Sequence, residues 1–178
     1  TEAEDKTAAS LKHLIETINS SGKIDSNLRV VLVGEILSKF TEPNAHRDYF
    51  VHMKRLFNAI ASDIADQVGA IAILTGENLG QVSSQTLGNL GAVEEASRFR
   101  ILRPLLGLDK QEIIDEARVL GTYEISTGPE LCDALGPDRP TTVADLTRLR
   151  ENEKLQGGLN QLAKKSLDSL RMRRLSSE

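Results

Sequence analysis

The sequence predicts an α/β fold: a parallel sheet with helices on both faces. Three observations carry this. Short apolar runs at Arg29–Val33, Ala70–Leu74 and Phe99–Leu102 alternate with longer stretches of helical periodicity, and the order βαβαβα builds parallel sheets. The first two runs are almost continuous in Val, Ile, Leu and Ala, as suits strands buried on both faces. The second run passes at once into a polar turn, Thr75-Gly76-Glu77-Asn78-Leu79-Gly80, and open α/β sheets bind ligands at the carboxyl ends of their strands.

Taken in order, residues Lys6 to Asn19 place Ala9, Leu11, Leu14, Ile15 and Ile18 at helical spacing. Ser20 to Asn27 is a polar turn, and the first strand follows. Asp48 to Val68 is a strongly amphipathic helix through Phe50, Leu56, Phe57, Ile60, Ile64 and Val68, and Gly69 is placed to end it. After the strand at Ala70, Ser83 or Ser84 is placed to cap a helix through Thr86, Leu87 and Leu90. Asp109 caps the next helix, which runs to Leu120 and stops at Gly121. Glu130 to Thr142, with Pro137 and Pro140, is a loop; helices are expected over Thr142–Leu155 and Leu159–Leu175, split by Gly157-Gly158. A sheet of three strands is small against the usual five or six.

A chain of 178 residues is long enough for one domain with a sizeable core. Aromatic residues are only 3%, so that core is aliphatic. No apolar run approaches the length of a membrane span, and the acidic, polar N-terminus shows no leader, so a cytoplasmic location is expected. One cysteine excludes an internal disulfide, and also a three-cysteine iron–sulfur site. His13, His46 and His52 lack metal-ligand spacing, so no protein-held metal is expected. The net charge of −4 gives no general reason to bind RNA; positive charge is local, as in Arg171-Met172-Arg173-Arg174.

The stretch from Thr75 to Leu90, TGENLGQVSSQTLGNL, resembles the signature of the ThiI-type tRNA sulfurtransferases, a family of PP-loop ATP pyrophosphatases. Further similar segments follow in the family's order: Arg103 to Ile114, Gly121 to Ser126, and Pro129-Glu130-Leu131-Cys132. The likeness is clear from about Leu28 to Thr142 and loose in the tail. It implies a PP-loop (adenine nucleotide alpha hydrolase-like) fold, with residues 1–142 as part of the ATPase-like domain and 143–178 as a helical extension. The family's fold begins with a strand leading into an SGGxDS phosphate loop, and this chain is expected to start after it. Thr1, in place of Met, suggests a processed or shortened chain.

Ser21-Gly22-Lys23-Ile24-Asp25-Ser26 imitates that loop. The surroundings argue against it. A phosphate loop needs a strand before it and a helix after it, and here the order is reversed. Lys23 also stands where glycine would let the backbone approach phosphates.

The resemblance implies ATP and Mg²⁺ as cofactors of the intact enzyme. It further implies tRNA as substrate and a separate persulfide donor such as a cysteine desulfurase. Enzymes of this class adenylate a base carbonyl and let sulfur displace AMP; a tRNA uridine becomes 4-thiouridine, and sulfur supply to the thiamine thiazole is a second implied activity. Gly76, Gln85 and Lys54 match family nucleotide contacts. Gln85 carries an amide able to donate and accept at a purine edge, yet a helix-capping amide fits equally. Lys54 can meet a phosphate, or lie on a solvated helix face beside His52 and Arg55. Glu77 either orders the turn or faces a ligand. Arg103, after the third strand, holds RNA or phosphate, or pairs with Asp109. Cys132 matches the cysteine that passes sulfur to the activated uridine; the plain alternative is an inert small residue. A rival to the enzyme is a catalytically incomplete module that docks onto the missing segment, or onto a second copy of itself.

Overall fold

A computed structural model of the chain describes residues 1–18, 27–80, 82, 85–127 and 135–175. The chain forms two compact units, residues 32–108 with 132–169, and residues 1–31 with 109–131 and 170–178.

The first unit is built on a long helix and a parallel strand pair. Short helical turns at Gly34–Leu37 (α2), Ser38–Thr41 and His46–Asp48 lead into α3, Tyr49–Val68. Helix α3 ends where the sequence places its stop: Gly69 takes the left-handed conformation with φ of 66°, which costs glycine nothing. The Ala70 N–H then reaches the Ala65 carbonyl at 2.9 Å. Strand β2, Ala72–Leu74, pairs in parallel with β3, Arg100–Leu102, with Ile73 opposite Ile101. Between them lies α4, Leu87–Glu94. Its cap is Thr86, whose Oγ1 accepts from the Asn89 N–H at 3.3 Å, not Ser83 or Ser84, which lie outside the described residues. Helices α7, Leu146–Leu155, and α8, Leu159–Leu167, complete the unit. Helix α7 starts four residues later than the sequence suggests, because Asp145 accepts from the Thr147 and Arg148 N–H groups and fixes the first turn there.

The core joins α3, α4 and α7 through Val51, Ala92, Val93 and Leu149. Polar groups share it. Asp48 is buried and grips Arg148 with both carboxylate oxygens at 2.7 and 2.9 Å. Arg55 is buried and holds Glu153 of α7 through Nε at 2.6 Å and Nη2 at 3.1 Å. At the start of its last segment the chain passes close over α3: a Cβ added to Gly136 would run into the Phe50 ring. Gly136→Ala is therefore expected to destabilise the protein by about 1–3 kcal/mol, the usual cost of overpacking; an unchanged urea midpoint would show that the Phe50 ring turns aside freely.

The second unit differs from the sequence expectation. Its α1, Glu2–Ile18, matches the predicted first helix, and α5, Lys110–Val119, starts at a full capping box in which Asp109 and Glu112 cap each other's backbone. A single turn, α6, covers Tyr123–Ser126. The predicted first strand, however, does not join the parallel sheet. Strand β1, Asn27–Val30, pairs antiparallel with β4, Arg171–Arg174, a segment assigned from sequence to the last helix. The physical reason is charge. Arg171 and Arg173 point to one side of a strand, where Arg171 meets Glu4 and Arg173 meets Asp5 of α1. On a helix they would diverge. The imitation of the phosphate loop, residues 21–26, lies outside the described residues. No helix among the described residues is long and apolar enough to cross a membrane.

Candidate functional site

Parallel strands in register end side by side, so the residues just after them become neighbours. Leu74 is paired with Leu102, and the Thr75 N–H continues the ladder to the Leu102 carbonyl at 3.0 Å. This sets the turn after β2 against the Arg103-Pro104 segment after β3. Four further bonds hold the turn. The Leu79 N–H donates to the Leu106 carbonyl at 3.1 Å, and Asn78 Nδ2 to the Leu108 carbonyl at 3.1 Å. The Asn78 N–H donates to Gln85 Oε1, and the Gly80 N–H to the Gln85 carbonyl, each at 2.9 Å. Gly80 has φ of 83°, a conformation that favours glycine.

The charged centre of the turn is Glu77, which is buried. Lys54 of α3 donates to its Oε1 at 2.8 Å, and Arg103 Nε to its Oε2 at 2.9 Å. Arg103 Nη1 reaches Glu94, at the end of α4, at 2.7 Å. Burial pushes the Glu77 carboxyl up, but the bonds and charges of Lys54 and Arg103 outweigh it and hold it below the usual carboxylate range. One carboxylate thus ties α3 to both strand ends.

Lys54 is accordingly not on a solvated face; the structure brings it to the turn that carries Gly76. Gly76 has no positive φ, and a Cβ added there would meet nothing within 4 Å. The fold itself does not require glycine at this position. Gln85 joins the same turn, with its side-chain carbonyl committed to the Asn78 backbone. Arg103 pairs with Glu77 and Glu94, while Asp109 serves as a helix cap. Cys132 lies outside the described residues. The sequence reading missed Glu94 and the bridging role of Glu77. The signal for the latter was the expected parallel pairing of the second and third strands, which sets the turns that follow them side by side.

Mg²⁺ is a poor fit to these groups. Both oxygens of Glu77 are engaged by cations, and no group of three or more His, Cys, Asp or Glu suited to a metal occurs among the described residues.

The chain matches the family described as thiamine biosynthesis protein (ThiI) over residues 1–156. It belongs to that family. Its curated relatives include a tRNA sulfurtransferase of Psychromonas ingrahamii, 44% identical over 123 residues, 68% of this chain and 24% of the relative. A probable tRNA sulfurtransferase of Acetivibrio thermocellus is 36% identical over 71% of this chain and 33% of its own length. One from Caldanaerobacter subterraneus is 35% identical over 84% and 40%. Among solved structures, a 4-thiouridine synthetase–RNA complex with bound ATP superposes with a TM-score of 0.86 at 30% identity, covering 97% of this chain and 44% of that one. The α/β fold with a parallel sheet read from the sequence is therefore that of the family. The chain spans between a quarter and two fifths of the length of these curated relatives.

Proposed function

We propose that this chain forms the base-facing part of the nucleotide site of a tRNA sulfurtransferase, which adenylates a tRNA uridine and replaces its oxygen with sulfur from a persulfide donor. The observation that carries the reading is the Lys54–Glu77 pair beside an open Gly76 at the carboxyl ends of parallel strands. The solved relative with ATP and RNA, and the names of the curated relatives, support it.

ATP, when bound, turns the uridine carbonyl oxygen into a leaving group. The residues present suit a nucleotide. Gly76 leaves room for a flat base against the backbone. Gln85, whose carbonyl half holds the turn, keeps its Nε2 donor for a ring nitrogen or carbonyl. Lys54, oriented by Glu77, offers positive charge where negative charge develops on phosphate oxygens. A preorganised cation costs no reorganisation at the moment of reaction.

Cys132 is the thiol we assign to sulfur transfer, on its match to the family's cysteine. In the protein expressed at the full length its gene encodes, Cys132→Ser is expected to lose 4-thiouridine formation and keep tRNA-dependent pyrophosphate release. Thiolation at the wild-type rate would remove Cys132 from the relay.

A second reading, a docking module without its own activity, draws on exposed apolar side chains in and just before these strands: Ile71, before β2, is 92% accessible, Leu74 70% and Leu102 50%. The same assay separates the two. A docking module shows neither pyrophosphate release nor thiolation.

A further inference from the structure

Arg103 uses its guanidinium unevenly. Nε is taken by Glu77 and Nη1 by Glu94, but Nη2 is buried without a hydrogen-bond partner. The side chain as a whole is only 9% exposed. Buried donors almost always find an acceptor, and one that does not calls for an explanation. The guanidinium is planar and permanently charged, so the two glutamate contacts fix the direction of the third arm. The local charge points the same way. Two cations, Lys54 and Arg103, lean on one buried carboxylate, while Glu94, the second anion, is half exposed and shares its charge with water. The interior of the cluster is short of negative charge.

We propose that Arg103 is a phosphate-contacting residue of this site, with Nη2 as the donor and a phosphate oxygen as its acceptor. The proposal rests on the nucleotide reading above. An anionic oxygen is the acceptor that suits the guanidinium fork, and it would supply the missing charge. Glu77 is then a positioning residue, holding Lys54 and Arg103 together at the turn. A nucleotide phosphate and an RNA backbone phosphate offer the same oxygen chemistry, and binding experiments tell them apart.

The test is titration of ATP, adenosine and tRNA, each separately, into the protein expressed at the full length its gene encodes, as wild type, Arg103→Lys and Arg103→Ala. Arg103→Lys keeps the charge and loses the fork, so it carries the test should Arg103→Ala fail to fold. Affinity for the phosphate-bearing ligand is expected to fall about tenfold or more, as loss of a charged hydrogen bond does, with adenosine affinity unchanged. A loss with ATP assigns the oxygen to the nucleotide, and a loss with tRNA assigns it to the RNA backbone. Equal losses for ATP and adenosine would mark Arg103 as structural and overturn the proposal, as would no loss for either phosphate ligand. Gly76→Val, titrated alongside, tests the nucleotide reading by itself. If it binds ATP and adenosine like the wild type, that reading falls whatever Arg103 does.

Discussion

Glu153→Ala is expected to destabilise the protein by about 3–5 kcal/mol, the range for removing one partner of a buried ion pair. Arg55 is buried in the middle of α3 and directs two of its nitrogens at Glu153. Its Nη1 reaches Glu95 at 2.8 Å and the Ala92 carbonyl. Without Glu153 the guanidinium loses its one fully buried counter-charge, and Glu95, more exposed, replaces little of it. The same pair sets an acid dependence. Burial raises the Glu153 carboxyl, and contacts with His52 and Arg55 outweigh burial, so the group sits below its ordinary value near 4.5. His52 Nδ1 stands 3.5 Å away without a hydrogen bond, so Arg55 is the direct partner. A carboxylate lowered in the folded state contributes stability above its unfolded value and loses it as pH falls through the folded one. Urea midpoints are therefore expected to be flat in this contribution above about pH 5 and to fall progressively below it, with Glu153→Ala showing a shallower fall. A loss under about 1 kcal/mol in the variant would mean that Arg55 finds water or Glu95 at no cost.

Gly76→Val is expected to leave stability nearly unchanged and weaken ATP by about 1–3 kcal/mol or more through bulk, roughly 5–150-fold in affinity. The two halves of this expectation come from one observation: the backbone at Gly76 has no positive φ and open space beside it. A glycine that the fold does not need is a glycine that a ligand can need. Thermal denaturation checks the first half, and ATP titration the second. Unchanged ATP affinity would make the turn structural.

Much of the fold was legible because its punctuation is local. Gly69 and Asp109 stop and start helices by rules that act within one turn of chain, and both do so here. The long periodic stretch over α3 left little choice. The failure at β4 has the opposite cause. Arg171-Met172-Arg173-Arg174 carries no periodic signal, and its conformation is set by Glu4 and Asp5, which stand more than 160 residues away. Strand β1 was found but given the wrong neighbour for the same reason, since its partner was hidden in a predicted helix. In the candidate site, Gly76, Gln85 and Lys54 were singled out by their match to the family's nucleotide contacts. What joined them was not legible, because Glu77 meets Lys54 across 23 positions and Arg103 across 26. The register of β2 and β3 sets Glu77 beside Arg103, and the packing of α3 brings Lys54 to them.

The measurement that bears most directly on the proposed nucleotide site is the set of backbone and arginine Nε resonances in ¹⁵N spectra recorded as ATP is added. The amides of Gly76 and Glu77 and the Nε of Arg103 are expected to shift together with one saturation curve, while Leu28 and Arg173 in the β1–β4 pair stay fixed. Shifts confined to the β1–β4 pair, with Gly76, Glu77 and Arg103 unmoved at saturating ATP, would contradict the placement of the nucleotide at the ends of β2 and β3.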